Sequence, residues 1–295
     1  EMGYISDYGK GMVINMSFLK EEQFAAMNLI YSRCKMDYFL DSIQRLGICN
    51  IELWTQIPYF CELDQSLCNL TNIRRRLAIR NLHLICLIPE QCSWPFNIAS
   101  DDPEIRRFSV DFYRRHFEMA AALEVDKVLL TPGWYPWDKP VEEGLKYSED
   151  SLHQLLPQAK KYGLTPVLEI LQPCESNLMY NLAATQWYAD RFEAGELSFC
   201  IDTVPVRLAG EKLSDYFELL GDRLRHVHLI DGTPTGHMAL GDGSHPIREY
   251  LDTMEKFSYG GFITLEFGSD IYMGSPEVHM KRGWNYLQRM LAACS

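Results

Sequence analysis

Four residues of this chain have the type and placement for metal chemistry. Glu169, Asp202, His228 and Glu266 fall within or at the end of short strand-like runs: Leu168-Glu169-Ile170, Cys200-Ile201-Asp202, Arg225-His226-Val227-His228-Leu229-Ile230-Asp231 and Thr264-Leu265-Glu266-Phe267. An unpaired polar group taken out of water costs roughly 2–7 kcal/mol. Carboxylates and imidazoles set into apolar runs therefore need partners. Three carboxylates and one imidazole make a mostly hard donor set. It suits Mn²⁺, Co²⁺ or Mg²⁺ and, lacking a thiolate, suits a structural zinc poorly. One such residue alone is an ordinary satisfied polar group. Four of them, on four successive strands, predict a single divalent metal ion held by Glu169, Asp202, His228 and Glu266. His226 shares a face with His228, because strand side chains alternate, and reads as a packed neighbour. Asp231 falls in the loop beyond, with no chemistry assigned to it.

These residues converge only if their strands lie side by side. The chain reads as strand–helix units in strict alternation, which predicts a parallel sheet. Expected strands are Met12 to Met16, Asn50 to Trp54, His83 to Ile88, Lys127 to Leu130, Pro166 to Leu171, Leu197 to Ile201, the Arg225 run, and Phe262 to Phe267. Expected helices include Asp37 to Leu46, Leu70 to Ile79, one capped at Ser100, Glu142 to Tyr162 with an interruption near Pro157, and Asn181 to Ala194. Three more are expected over Leu213 to Leu220, Ile247 to Phe257 and Pro276 to Ala293. Helical character is also expected around Glu21–Tyr31. Eight units without a linker-like break in composition predict one (β/α)8 TIM barrel over residues 1–295. No glycine-rich dinucleotide fingerprint follows the first strand, which disfavours an open doubly wound sheet. Active sites of such barrels sit at the C-terminal ends of the strands. The four candidate ligands belong to strands five to eight, which are neighbours on one side of the mouth.

The net charge of −12 disfavours nucleic acid and anionic membranes, which need basic surfaces. No apolar run approaches the roughly 18 residues of a membrane span. Glu1 to Lys10 lacks a signal-peptide profile. The nine cysteines are scattered, odd in number and without a Cys-x-x-Cys pair, as in a reducing compartment. The expectation is a cytoplasmic enzyme.

Several runs carry a resemblance to a known family. They are Leu168-Glu169, Cys174-Glu175-Ser176-Asn177, Ile201-Asp202, Leu219 to His228, Gly241-Asp242-Gly243 and Leu265-Glu266, with weaker support from Ile51-Glu52-Leu53-Trp54 and Trp94-Pro95-Phe96-Asn97. Through them the chain resembles the xylose isomerase-like barrels of sugar isomerases and epimerases. Within these it looks most like the fructoselysine 3-epimerase group, and more distantly like the D-tagatose/D-psicose 3-epimerases. The spacing of Glu169, Asp202, His228 and Glu266 fits the metal-ligand pattern of that family. The resemblance implies that Glu169 and Glu266 also move protons, and elementary chemistry agrees. A metal ion that polarises a ketose carbonyl acidifies the neighbouring C–H. One carboxylate can remove that proton to give an enediolate, and a second can return it with inverted configuration. Asp202 and His228 would then mainly hold the ion.

The resemblance further implies that Glu175 meets substrate hydroxyls and that His237 is a polar substrate contact. Trp54 and Trp134, with Trp94 and Trp137, fall at strand ends or in the loops beyond them, and could wall a sugar or its substituent. The sequence departs from the simple ketose epimerases at two positions, where a histidine and an arginine are replaced by Pro205 and Pro234. That points to a substituted or conjugated sugar as the small-molecule partner. A homo-oligomer is implied by analogy. Competing readings are a lyase on the same scaffold (a keto-inositol dehydratase or a C-glycoside-cleaving enzyme), an apurinic-site endonuclease-like barrel, and a non-catalytic sugar-binding barrel.

Overall fold

The computed structural model describes residues 19–55, 69–90 and 95–293. Eight parallel strands, each hydrogen-bonded to the next and the last to the first, form a closed barrel. The strands are β1 Phe24–Met27, β2 Asn50–Thr55, β3 His83–Pro89, β4 Lys127–Leu130, β5 Thr165–Glu169, β6 Ser198–Asp202, β7 Leu224–Leu229 and β8 Phe262–Leu265. Nine helices are described: α1 Met36–Arg45, α2 Leu70–Ala78, α3 Pro103–Leu123, α4 Val141–Lys161, α5 Leu182–Ala189, α6 Thr203–Ala209, α7 Leu213–Leu220, α8 Ile247–Lys256 and α9 Pro276–Ala292. Among the described residues, no helix is long and apolar enough to cross a membrane.

Alternation along the strands divides the apolar residues into two clusters. Outward-facing residues such as Phe24, Ile51, Leu168, Phe199, Val227 and Ile263 join the helices in one extensive core. A smaller cluster that includes Ala25, Met27, Cys86, Ile88, Leu129, Val167 and Cys200 fills the barrel itself. The buried positions that continue the inner face toward the mouth are polar: Glu169 after Val167, Asp202 after Cys200, and His228 after His226.

The predicted fold is present, with differences in detail. The expected first strand, Met12 to Met16, lies outside the described residues. The strand that closes the barrel is Phe24–Met27, pairing Ala25 with Asn50 on one side and with Thr264 on the other. It lies inside a stretch expected to be helical. Its four residues are all buried, so it shows no polar alternation, and its two alanines are strong helix formers. Alanine suits a crowded barrel interior for a different reason, its small volume. Helix α3 is capped by Asp102 rather than Ser100: Asp102 Oδ1 accepts from the Glu104 amide at 2.8 Å, and Pro103 occupies the first helical position. Helix α4 runs unbroken through Pro157. Pro157 and His153, whose carbonyl loses its helical partner, are both exposed, so water replaces that bond.

Candidate metal centre

Strands β5 to β8 bring the predicted ligands together at the mouth. His228 is fully buried on β7, and its Nδ1 lies 2.5 Å from Glu169 Oε1 and 3.0 Å from Glu266 Oε2. Asp202 ends β6 and also caps α6, a short helix that the sequence reading did not foresee. Its Oδ1 accepts from the Val204 amide at 2.7 Å, while Oδ2 turns toward the His237 Nε2 at 3.4 Å. One carboxylate thus anchors a helix with one oxygen and offers the other to the site. Pro205 falls in the first turn of α6, where a missing amide costs little.

Two triads, Glu169–His228–Glu266 and Asp202–His237–Glu266, each place three donor atoms within 4.8 Å of one another, and Glu266 belongs to both. Such crowding of carboxylates in a buried place is costly without a cation. Proton affinities register it. Burial pushes the Glu169 carboxyl up to about 8, against the pull of His228 and with help from Glu266 and Asp202. Burial also raises Asp202. Glu266 meets the same penalty, but the adjacent His228 and His237 outweigh it and hold its carboxyl below the ordinary carboxylate range. Glu266 Oε2 and His228 Nδ1 are buried with no hydrogen-bond partner of good geometry. A hard divalent cation fits this donor set.

Beneath the candidate ligands lies Glu52, on β2, which the sequence alone does not mark as part of the site. It is fully buried. Its Oε2 lies 2.9 Å from His226 Nε2 and 3.3 Å from His228 Nε2. Burial works against its charge, but the two imidazoles overcome the penalty and hold the carboxyl well below its usual range. With Glu52 on the Nε2 side, His228 turns its Nδ1 toward Glu169 and Glu266. His226 is bonded to Glu52 and, at 3.1 Å, to Thr264 Oγ1.

Above the candidate ligands is a cavity of about 200 Å³. Its lining includes Glu169, Glu175, His237, Glu266 and, across from them, Met27, Leu29, Trp54 and Ile88. Among the lining residues of this cavity none is lysine or arginine. Glu175 is held by the Gln172 backbone amide, 3.0 Å from its Oε2. Its loop is braced against the one after β4, since Ser176 Oγ donates to the Gly133 carbonyl and Asn177 bonds both backbone groups of Tyr135. His237 has a left-handed backbone, φ 42°. Asp202 raises its imidazole to about 10 in spite of burial, assisted by Glu266 and Glu175. Its carbonyl accepts from the amides of Gly268 and Ser269, tying the loop after β7 to the loop after β8.

The tryptophans separate. Trp54 lines the cavity, and its backbone is clamped by Asn28. Trp134 is not among the lining residues; its backbone is bound at both ends by Asn97. Trp137 is exposed, and Trp94 lies outside the described residues. Asp231 organises the loop after β7: Oδ1 accepts from the amides of Gly232 and His245, and Oδ2 from that of Gly241. Gly243 is obligatory there, since a Cβ would sit 2.3 Å from Asp231 Oδ1. The Gly241-Asp242-Gly243 run is thus a structural turn around a buried carboxylate.

A closed parallel barrel with a carboxylate–histidine cluster at its mouth defines a class of barrel enzyme, and the sequence places the chain within it. Residues 40–293 match the family described as Xylose isomerase-like TIM barrel, and the chain belongs to that family. Among curated relatives, fructoselysine 3-epimerase of Escherichia coli O157:H7 is 24% identical over 263 residues, covering 88% of this chain and 95% of the relative. Among solved structures, D-psicose 3-epimerase from Clostridium cellulolyticum H10 superposes with a TM-score of 0.76 at 15% identity, over 92% of this chain and 99% of that one. A D-tagatose 3-epimerase-like protein gives 0.74 at 19%, over 92% and 100%.

Proposed function

We propose that this protein is a divalent-metal-dependent sugar 3-epimerase acting on a ketose or ketose conjugate of the fructoselysine kind. The observation that carries the reading is the pair of glutamates, from β5 and β8, that meet at one imidazole nitrogen, His228 Nδ1. Glu169, Asp202, His228 and Glu266 would hold the ion. When bound, the ion polarises the substrate carbonyl and acidifies the adjacent C–H.

The protein's own groups supply the rest. Glu169 and Glu266 reach the His228 nitrogen from two different strand ends. Two separate carboxylates are what a proton donor and a proton acceptor need. In one direction Glu266 takes the proton from C3 and Glu169 delivers one to the other face; in reverse they exchange roles. Glu175, fixed by Gln172, accepts hydrogen bonds from hydroxyls beside the carbonyl. His237 donates to a substrate oxygen, taking over a polar role that neither Pro205 nor Pro234 can fill. The lack of lysine and arginine among the described lining residues of the cavity favours an unphosphorylated sugar. Met27, Leu29 and Trp54 give its carbon skeleton an apolar bed, the usual lining of a small-molecule site.

The test is incubation of metal-loaded protein with fructoselysine and simple ketoses in D₂O. Deuterium entering C3 with formation of the epimer supports the proposal. Departure of water or a substituent would move the assignment to a lyase. Absence of exchange with every ketose and metal tried would reject proton transfer altogether.

A further inference from the structure

The inner face of the barrel carries a second set of donors, of which the epimerase chemistry uses only His228. One layer below the mouth, Cys200 on β6 lies beside His226 and His228 on β7. One donor atom from each lies within 4.8 Å of the others, and all three side chains are buried. Cys86 is a second buried thiol on the inner face of the barrel. His226 Nδ1 is buried with no hydrogen-bond partner, although its Nε2 is bonded twice. A thiol and two imidazoles are a soft-to-borderline donor set, unlike the carboxylates above.

We infer that Cys200, His226 and His228 form a second metal site, for a thiophilic divalent ion such as Cd²⁺ or Zn²⁺, and that it excludes the ion at the mouth. The inference is independent of the epimerase reading and shares only His228 with it. Exclusion follows from the chemistry of that residue. A neutral imidazole has one lone pair. An ion below that takes His228 Nδ1 removes a ligand from the upper site. One that takes Nε2 leaves the neutral ring's single proton on Nδ1, facing Glu169 and Glu266. Either way the upper site is spoiled. Mg²⁺ and Mn²⁺ leave the lower site alone, because they prefer oxygen. A thiophilic ion displaces the Cys200 thiol proton to solvent when it forms its bond to sulfur.

The test uses the whole protein and Cd²⁺ as probe. Metal-free protein given one equivalent of Cd²⁺ should develop a thiolate-to-cadmium charge-transfer band. Cd²⁺ added to Mn²⁺-loaded protein should release Mn²⁺, measured by the electron paramagnetic resonance of the free ion. Cys200→Ser, Cys200→Ala and His226→Ala should each retain Mn²⁺, while the cysteine variants lose the band. All three should weaken Cd²⁺ binding by at least about tenfold. If the cysteine variants do not fold, His226→Ala carries the test alone. A band unchanged in both cysteine variants, or undiminished Cd²⁺ affinity in His226→Ala, would overturn the site. Simultaneous stoichiometric binding of Mn²⁺ and Cd²⁺ would overturn the exclusion. Neither result depends on catalytic turnover.

Discussion

The two halves of the barrel mouth differ in kind. Strands β5 to β8 carry Glu169, Asp202, His228 and Glu266 at, near or just past their ends, whereas β1 to β3 present Met27, Trp54 and Ile88 to the cavity above. The charged half offers bonds with direction and proton affinities that burial has moved. The other half offers shape, with only Glu90 and Thr131 as polar lining from this side. On the proposed reading the halves answer separate questions: one would decide which reaction occurs, and the other what is seated for it. Glu52 crosses the division, standing on β2 while its carboxylate bonds His226 and faces His228 on β7.

If that division is real, substitutions on the two sides fail differently. His228→Ala should cost most. Metal affinity should fall well beyond the roughly 100-fold that an outer partner costs, and activity should vanish with it, whereas His226→Ala should keep the ion at the mouth. Equal metal loss in both, measured by calorimetry, would erase the distinction between ligand and neighbour. Glu266→Gln should lower turnover by about 10²–10⁴. Full turnover in metal-loaded Glu266→Gln would end the two-carboxylate scheme. Glu52→Gln should weaken metal binding by about 10–100-fold, even though it lies on the apolar half. A larger loss of substrate affinity than of metal affinity would place Glu52 with the seating side instead.

The pH dependence follows from Glu169. Its carboxyl in the metal-free protein is raised to about 8, so below that pH the ion must displace a proton. Metal affinity should therefore rise about tenfold per pH unit up to roughly 8 and then level off for this group. The metal-free protein shows the opposite sign. The folded form keeps a proton that the unfolded chain releases in the ordinary carboxylate range, so stability falls as pH rises toward 8. Titration calorimetry in buffers of different ionisation enthalpy would count the released proton. None released at pH 7 would contradict the raised affinity. Trp54→Ala should have the smallest effect, a rise in KM of about three- to tenfold from the loss of roughly 1 kcal/mol of contact, with kcat nearly unchanged. A fall in kcat alone would mean that the apolar half takes part in the chemistry.

The two halves were also unequally legible in the sequence. Polar residues inside apolar runs stand out, so the inner faces of β5 to β8 and their four candidate ligands could be read directly. On the opposite side, β1 carries no such mark, being buried on both faces and only four residues long. Glu52 was hidden for another reason. A single acid in a strand looks ordinary, and its partner His226 is 174 residues away in the chain, so only closure of the barrel reveals the pair. Asp231 shows the converse: a carboxylate next to the chemistry by sequence that is spent on holding a turn. The role of Asp202 as a helix cap was obscured because α6 begins directly where β6 ends, with no loop between them.

The bonds from the His237 carbonyl to Gly268 and Ser269 bear on how this mouth can change. They join two loops that are separate in sequence into one mechanical part, which also carries the only imidazole facing the cavity among its described lining residues. A longer or shorter loop after β8 would displace a side chain that belongs to the loop after β7. Attempts to widen the entrance for a bulkier substrate therefore have to redesign the two loops as a pair.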